Sequence, residues 1–281
     1  MTEGDSIPAL PFELMLITNS PVTAAHAVAS GVDLVFVDLE IKGKHARQGT
    51  RSTVISGHSL DDVAAVRSVV PSGRLLVRLN PWDADSPREV DAVIALGADR
   101  VMLPMFRGPD ELEHLVRAVG GRCAVVGLLE TAEAAEQGAA IASVAGVARI
   151  HIGLNDLHLA LRRRFMFELL IDGTVPKIAA ALRAGAMPFG IGGLARVGEG
   201  LVPAECLIAE HVALGSTAAI LSRTFHRSDS PDSVLTGGPA LATEITRLRH
   251  EVARCRAMTR AELAQRRVDS AQRIRAVVGT H

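Results

Sequence analysis

The sequence predicts an α/β protein: a (β/α)8 TIM barrel with a C-terminal helical extension. Eight apolar runs recur with starts that lie on average about 29 residues apart, with Ala-rich amphipathic segments between them. Most runs are continuously apolar rather than alternating, as expected for parallel strands that are covered on both faces. The chain has 281 residues and a hydrophobic content of 48%, which suits one barrel with a large core.

The predicted strands and helices alternate along the chain in a regular order. Ser59 followed by Asp62 predicts a capping box at the start of one helix. No Gly-x-Gly-x-x-Gly motif opens a helix after an early strand, which argues against an open dinucleotide-binding sheet. The predicted strands are 14–19, 34–40, 74–80, 100–105, 123–130, 148–155, 188–193 and 217–222, and the clearest helices are 22–30, 59–69, 87–96, 109–119 and 132–144.

The pattern changes after the eighth strand. A loop rich in Ser, Asp, Pro and Gly (228–238) precedes one or two charged amphipathic helices (239–278). We therefore divide the chain into a barrel domain, 1–226, and a C-terminal segment, 227–281, which packs under its own barrel or crosses to a neighbouring subunit. The long appended helix predicts a homo-oligomer. Apolar residues fall on one side of it at Leu241, Ile245, Leu248, Val252 and Cys255.

Composition excludes several classes of protein. The 30 basic and 31 acidic residues give a formal net charge of −1, which does not favour binding to nucleic acid or an anionic membrane. The three cysteines are far apart, so they predict neither a zinc site nor a disulfide framework. No apolar run approaches the length of a membrane span, and the first residues lack the basic start of a signal peptide. We expect a soluble cytoplasmic protein.

Two carboxylates follow neighbouring predicted strands. Glu130 ends the fifth strand and Asp156 follows the sixth. Parallel neighbours lie about 4.8 Å apart, so both side chains would reach a shared point. Oxygen ligands without His or Cys indicate a hard divalent ion such as Mg²⁺ or Mn²⁺. The alternative is that Glu130-Thr131 and Asp156 are helix N-caps.

Other predicted strand ends also carry polar groups, as the C-terminal face of a catalytic barrel does. Several of the strand-end sequences occur in the order and at the places found in one family. Together they resemble the HpcH/HpaI aldolase and citrate lyase family, a group of pyruvate/phosphoenolpyruvate-type barrels, from about the first strand through the eighth. These sequences are Val37-Asp-Leu-Glu40, Arg78, Met102-Leu-Pro-Met105, Leu129-Glu-Thr131 and Ile152-Gly-Leu-Asn-Asp-Leu157.

The resemblance implies a divalent metal, Mg²⁺ or Mn²⁺, held by Glu130 and Asp156. It also implies that Arg78 binds the carboxylate of a 2-oxo acid or its enolate. The planar guanidinium of arginine can bind a carboxylate through two hydrogen bonds, which lysine cannot do. The alternative for Arg78 is a salt bridge to a neighbouring barrel carboxylate.

Three further residues complete the implied site. Backbone N–H groups near Thr131 and Asn155 would help to bind the substrate carboxylate. Glu40 is expected to take part in catalysis by hydrogen-bonding a metal-bound water.

The chain departs from the aldolase branch at two positions. There the acid after the second strand is followed by a catalytic His, but Ile41 follows Glu40 here. The position of the partner Asp matches Ala95. Aldol cleavage needs a base, so ordinary pyruvate aldolase activity is in question. The citrate lyase and acyl-CoA lyase branch works without that His.

A cationic loop, 41–51, stands in place of the missing His. It is expected to hold an anionic second substrate, while the alternative is a solvated surface loop. His45 is the candidate replacement base, and His58 is a second candidate. The residues of this loop expected to bind substrate are Lys42, Lys44, Arg47 and Gln48.

These features predict a metal-dependent carbon–carbon lyase, aldolase-like, that acts through the enolate of pyruvate, oxaloacetate or a related 2-oxo acid. One alternative is a carboligase or synthase that condenses a 2-oxo acid with an activated or phosphorylated partner. Another is a non-catalytic barrel that binds a metabolite.

Overall fold

The computed structural model describes residues 11–42, 58–226 and 241–280. Eight parallel strands form a closed barrel in sequential order, and β1 pairs with β8 to close it. This architecture confirms the predicted TIM barrel. Among the helices in the described ranges, none combines the length and apolar character that crossing a bilayer requires.

The strands and helices alternate as the sequence predicts. The strands are β1 (Glu13–Ile17), β2 (Leu34–Asp38), β3 (Leu75–Arg78), β4 (Arg100–Leu103), β5 (Ala124–Leu129), β6 (Val147–Ile152), β7 (Phe189–Leu194) and β8 (Ala218–Leu221). The barrel helices are α1 (Pro21–Ala29), α2 (Leu60–Arg67), α3 (Ser86–Ala95), α4 (Pro109–Val119), α5 (Ala132–Glu136), α6 (Gly138–Ala142), α7 (Leu154–Ala160), α8 (Glu168–Ile171), α9 (Thr174–Ala184) and α10 (Ala204–Leu214). The C-terminal helices are α11 (Leu241–Arg256) and α12 (Arg260–Thr280).

Several predicted boundaries were wrong by a few residues. The sixth strand ends at Ile152, and Asn155 and Asp156 lie in α7 rather than in the strand. The predicted helix 132–144 is two short helices that meet at Gln137, whose side chain donates hydrogen bonds to the carbonyls of Arg107 and Glu133. The capping box of Ser59 and Asp62 is confirmed.

The lumen of the barrel is filled by side chains. An ion cluster lies at the N-terminal end, where Arg100 donates to Glu13 at 3.0 and 3.1 Å and Arg149 also bonds Glu13. Burial opposes ionisation of Glu13, but the two arginines hold its pKa below the usual value. The apolar layer of the lumen consists of Met15, Leu34, Phe36, Leu76, Met102, Val126, Leu128 and Ala218.

His151 is completely buried in β6. A Cβ on Gly190 of the neighbouring strand would lie 2.4 Å from His151 Nδ1, so the imidazole occupies the space of a missing side chain. Burial, followed by the charge of Arg149, lowers the pKa of His151 to about 3. Its ring nitrogens have no hydrogen-bond partner in the described part of the chain, which fits a neutral packing residue.

The C-terminal helices pack on the barrel of the same chain. The predicted apolar side of α11 is buried, and Arg249 Nη2 donates to Asp33 Oδ2 (2.8 Å) and to the carbonyl of Gly31 (2.7 Å). On α12, Arg267 Nε donates to Glu210 Oε2 at 2.9 Å. The domain division at residue 226 and the exchange of this segment between subunits stay predictions.

Candidate active site

Arg78 is the last residue of β3 and lies beside β2 at the C-terminal face of the barrel. Its Nε and Nη2 donate to Asp38 Oδ1 and Oδ2 at 2.8 and 2.7 Å, and Nη2 lies 3.3 Å from Glu40 Oε2. The guanidinium carbon is 5.6 Å from the ring centroid of Phe36. Although burial opposes the charge, Asp38 and Glu40 raise the pKa of Arg78, so it stays a cation.

Asp38 is a site residue that the sequence reasoning missed. It is 1% exposed and holds Arg78 through both carboxylate oxygens, while Oδ1 also accepts the N–H of Glu40 at 3.1 Å. The alternation of side chains along a strand could have identified it. Phe36 lies in the lumen, and Asp38, two residues further on, faces the lumen too. The salt-bridge alternative for Arg78 is therefore realised.

Glu130 follows β5 and is 3% exposed. Its Oε1 accepts the main-chain N–H of Met105 at 3.1 Å. A Cβ at Gly153 would lie 2.8 Å from Oε2, so this glycine leaves the carboxylate its space. Burial raises the pKa of Glu130 to about 8; the charges of Asp156 and Glu40 also raise it, whereas Arg78 and the Met105 N–H lower it.

Asp156 lies in the first turn of α7, is partly exposed and is close enough to raise the pKa of Glu130. This donor pair fits a hard divalent cation, because the two carboxylates repel each other and a cation would offset the cost of burying Glu130 as an anion. No group of three or more His, Cys, Asp or Glu with the spacing of a metal site occurs within residues 11–42, 58–226 and 241–280. Two protein carboxylates with the remaining positions left to water and substrate is the usual arrangement for Mg²⁺.

Thr131 has a structural part in the observed arrangement. It is the N-cap of α5: its hydroxyl accepts the N–H of Ala134 at 3.2 Å and donates to the carbonyl of Phe106 at 2.8 Å. The helix-cap alternative is thus correct for Thr131 itself. Asn155 is exposed in the first turn of α7, next to Asp156.

The cationic loop begins beside the site. Asn80 Oδ1 accepts the N–H groups of Ile41 and Lys42, both at 3.0 Å, and Lys42 forms an ion pair with Asp83. That ion pair raises the pKa of Lys42, which is half exposed. Four predicted site residues lie outside the described residues and stay predictions: Lys44, His45, Arg47 and Gln48.

The family model for HpcH/HpaI aldolase/citrate lyase matches residues 12–169, which is more than half of the chain and includes both carboxylates and Arg78. The chain belongs to the HpcH/HpaI aldolase/citrate lyase family. No curated protein matches the sequence.

Solved structures share this family fold. The citrate lyase beta subunit from M. tuberculosis, complexed with oxaloacetate and magnesium, has a TM-score of 0.61 and 19% identity, covering 88% of this chain and 99% of that one. An HpcH/HpaI aldolase from Desulfitobacterium hafniense gives 0.58 and 14%, covering 89% and 95%. The citrate synthase SbnG gives 0.58 and 17%, covering 86% and 94%. At such identities the likeness concerns the fold.

The two positions at which the sequence predicts a departure from the aldolase branch carry side chains without a titratable group. Ile41 is 50% exposed just after Glu40. Ala95 is the last residue of α3. Neither side chain can take a proton, so the base of any proton transfer has to come from another residue.

Proposed function

We propose that this protein is a divalent-metal-dependent carbon–carbon lyase acting through the enolate of pyruvate, oxaloacetate or a related 2-oxo acid. The observation that carries the proposal is the convergence of three residues at the C-terminal face: Arg78 ends β3, Glu130 follows β5 and Asp156 lies in the first turn of α7, close enough for its charge and that of Arg78 to act on Glu130. A cation site and a guanidinium at the same end of a barrel suit a 2-oxo acid, because the cation can bind the keto oxygen and the guanidinium the carboxylate. The solved citrate lyase beta subunit with oxaloacetate and magnesium supports this choice.

Glu130 and Asp156 would hold Mg²⁺ or Mn²⁺, and the bound ion would supply positive charge for the keto oxygen and the enolate. Glu130 is oriented for this task by the N–H of Met105. Gly153 has no Cβ and therefore leaves room for Oε2 of Glu130.

Arg78 would bind the substrate carboxylate with the edge that Asp38 does not use. A guanidinium has two bidentate edges, and Nε with one N–H of Nη2 is occupied by Asp38. The second edge, formed by Nη1 and Nη2, is the one that we assign to substrate. Asp38 fixes the guanidinium in place, so little orientational freedom is lost on binding.

The remaining residues are assigned by position. Glu40 is buried, lies 3.3 Å from Arg78 Nη2 and raises the pKa of Glu130, so it is near both halves of the site. We assign it to holding water in the site. We assign His45 as the base that replaces the missing dyad.

The second substrate is proposed to be an anion. We assign its binding to the cationic loop, through Lys42, Lys44, Arg47 and Gln48. Thr131 and Asn155 stay assigned to substrate binding through their backbone N–H groups. Outside the site, we propose a cytoplasmic homo-oligomer, and sedimentation velocity would measure its subunit number.

A second candidate keeps the enolate and changes the reaction. Ile41 and Ala95 would stand where the aldolase branch has its base dyad, so a reaction other than ordinary aldol cleavage, the condensation of a 2-oxo acid with an activated or phosphorylated partner, is the second candidate. The fold shared with the citrate synthase SbnG is consistent with it. Assays of cleavage and of condensation with pyruvate and oxaloacetate separate the two reactions.

The testing experiment is calorimetry with Mg²⁺ and oxalate, a mimic of the enolate. We expect oxalate to bind only when Mg²⁺ is present, and Glu130→Ala and Asp156→Ala each to abolish that binding. Glu113→Ala, at an exposed acid of α4, is the matched control and should bind as the wild type does. Equal oxalate binding in EDTA, or no binding with Mg²⁺, would overturn the proposal, and the latter would favour a non-catalytic metabolite-binding barrel.

A further inference from the structure

His58 reaches the end of β2 from a distant part of the chain. Its Nδ1 accepts the main-chain N–H of Asp38 at 2.9 Å, although the two residues are twenty apart in sequence. His58 directly precedes Ser59, the N-cap of α2, and the capping box of Ser59 with Asp62 marks where that helix begins. The imidazole is therefore a defined contact of β2 at the C-terminal face.

The residue that His58 bonds is the one that holds Arg78. Asp38 is almost fully buried, and its two carboxylate oxygens take the Nε and Nη2 of Arg78. Its backbone and side chain are coupled, because Oδ1 also accepts the N–H of Glu40 two residues on. A shift of the Asp38 main chain would thus move the carboxylate, and with it the guanidinium.

The chemistry of the contact fixes the state of the ring. A main-chain N–H is always a donor, so Nδ1 must be unprotonated and act as the acceptor. In the neutral ring the proton is then on Nε2, and the imidazolium cannot make this bond at all. His58 in this arrangement acts as a fixed acceptor for β2 rather than as a base that takes a proton at Nδ1.

We infer that His58 is a positioning residue for Arg78. His58 accepts the main-chain N–H of Asp38, the Asp38 carboxylate binds Arg78, and Arg78 binds the carboxylate of the 2-oxo acid. The inference rests on the role proposed above for Arg78. This chain of contacts, the His58–Asp38–Arg78 relay, predicts that substrate affinity depends on a hydrogen-bond acceptor at position 58. It does not require an imidazole ring there. Asparagine places an amide oxygen near the location of Nδ1 and can replace it.

The test compares His58→Ala, His58→Asn and, as a control, Thr259→Ala. With Mg²⁺ present, we expect His58→Ala to weaken oxalate binding about tenfold, because a buried N–H loses its acceptor. His58→Asn should restore affinity to within about threefold, since it keeps one. Thr259→Ala removes the equivalent cap at the start of α12, where Thr259 Oγ1 accepts the N–H of Glu262 at 3.2 Å, and should lower the melting temperature without changing oxalate affinity. Equal weakening by His58→Ala and His58→Asn would overturn the inference.

A second measurement is independent of the proposed function. A double-mutant cycle in the unfolding free energy, made from His58→Ala and Arg78→Lys without ligand, should show non-additive effects, because the two residues act through Asp38. Strict additivity would overturn the relay even if oxalate binds. If the wild type failed to bind oxalate with Mg²⁺ while the cycle still showed coupling, the proposed function would fail and the relay would stand.

Discussion

The main-chain N–H of Met105 donates to Glu130 Oε1 at 3.1 Å, and Met105 has a left-handed φ of 56°. For a residue with a Cβ, this backbone conformation costs roughly 1 kcal/mol or more. Met105, in this strained conformation, orients the Glu130 carboxylate, whose burial as an anion is otherwise unfavourable. Because the pKa of Glu130 is raised to about 8, the metal-free protein holds this group mainly as the neutral acid at pH 7.

This pKa predicts how stability depends on pH without metal. Between the ordinary value of 4.5 and about 8, folded Glu130 keeps a proton that the unfolded chain has lost. The contribution of this group is thus fully present below pH 4.5 and falls as pH rises, by up to about 1.4 kcal/mol per unit. Urea unfolding in EDTA from pH 5 to 8 measures it. Glu130→Gln should flatten the profile relative to the control Glu113→Gln, and an unchanged slope would contradict the assignment.

Magnesium should reverse that loss at high pH. The cation binds the ionised pair, so at pH 8 a concentration 100 times its Kd would add about 2.7 kcal/mol to the unfolding free energy. Thermal melts with and without Mg²⁺ measure the shift. Neither Glu130→Gln nor Asp156→Asn is expected to respond, and a full response in both variants would place the cation elsewhere.

Arg78→Lys should separate charge from geometry. Lysine keeps the positive charge but cannot bind Asp38 with two bonds while presenting a second edge to a ligand. We expect oxalate affinity to fall about 10- to 100-fold with Mg²⁺ affinity nearly unchanged. Arg122→Lys, on an exposed arginine that pairs with Asp91, is the control. Wild-type oxalate affinity in Arg78→Lys would remove Arg78 from the substrate site.

The sequence predicted the barrel because its signals are local and repeated: apolar runs of strand length with capping and turn residues between them. It also placed Glu130, Asp156 and Arg78 near one end, because parallel strands align their C-terminal ends. It did not predict that Asp38 occupies one edge of Arg78, or that His58 bonds Asp38. Those contacts depend on the inward direction of side chains and on the contact of β2 with a residue twenty positions further along the chain, and neither follows from residue spacing.

A packing prediction concerns Gly190 and His151. Gly190→Ala would place a Cβ 2.4 Å from His151 Nδ1, far inside contact distance, with backbone on its other side. We expect a loss of about 1–3 kcal/mol in unfolding free energy. Adding His151→Ala should recover part of this loss, since it removes the obstructing ring, and a double-mutant cycle by urea unfolding measures the recovery. Additive losses would show that the ring does not occupy that space.

Another prediction concerns the attachment of α11. Arg249→Met removes the bond to Asp33 Oδ2, which keeps the N–H of Leu14 as a donor, and the bond to the carbonyl of Gly31. We expect a loss of about 1–3 kcal/mol. Arg117→Met, at an exposed arginine in an i,i+4 pair, should change stability by about 0.5 kcal/mol or less. Similar small effects of both substitutions would mean that the Arg249 bonds contribute little to the attachment of α11.

The ion cluster of Glu13, Arg100 and Arg149 also fills the N-terminal end of the barrel lumen. Within the described residues, that end of the lumen is filled by charged groups and the layer above it by apolar side chains, which leaves the C-terminal face as the side from which a small molecule can approach the site. Under the proposed function, substrate and product would both pass through that face, so a bound product would block the approach of the next substrate.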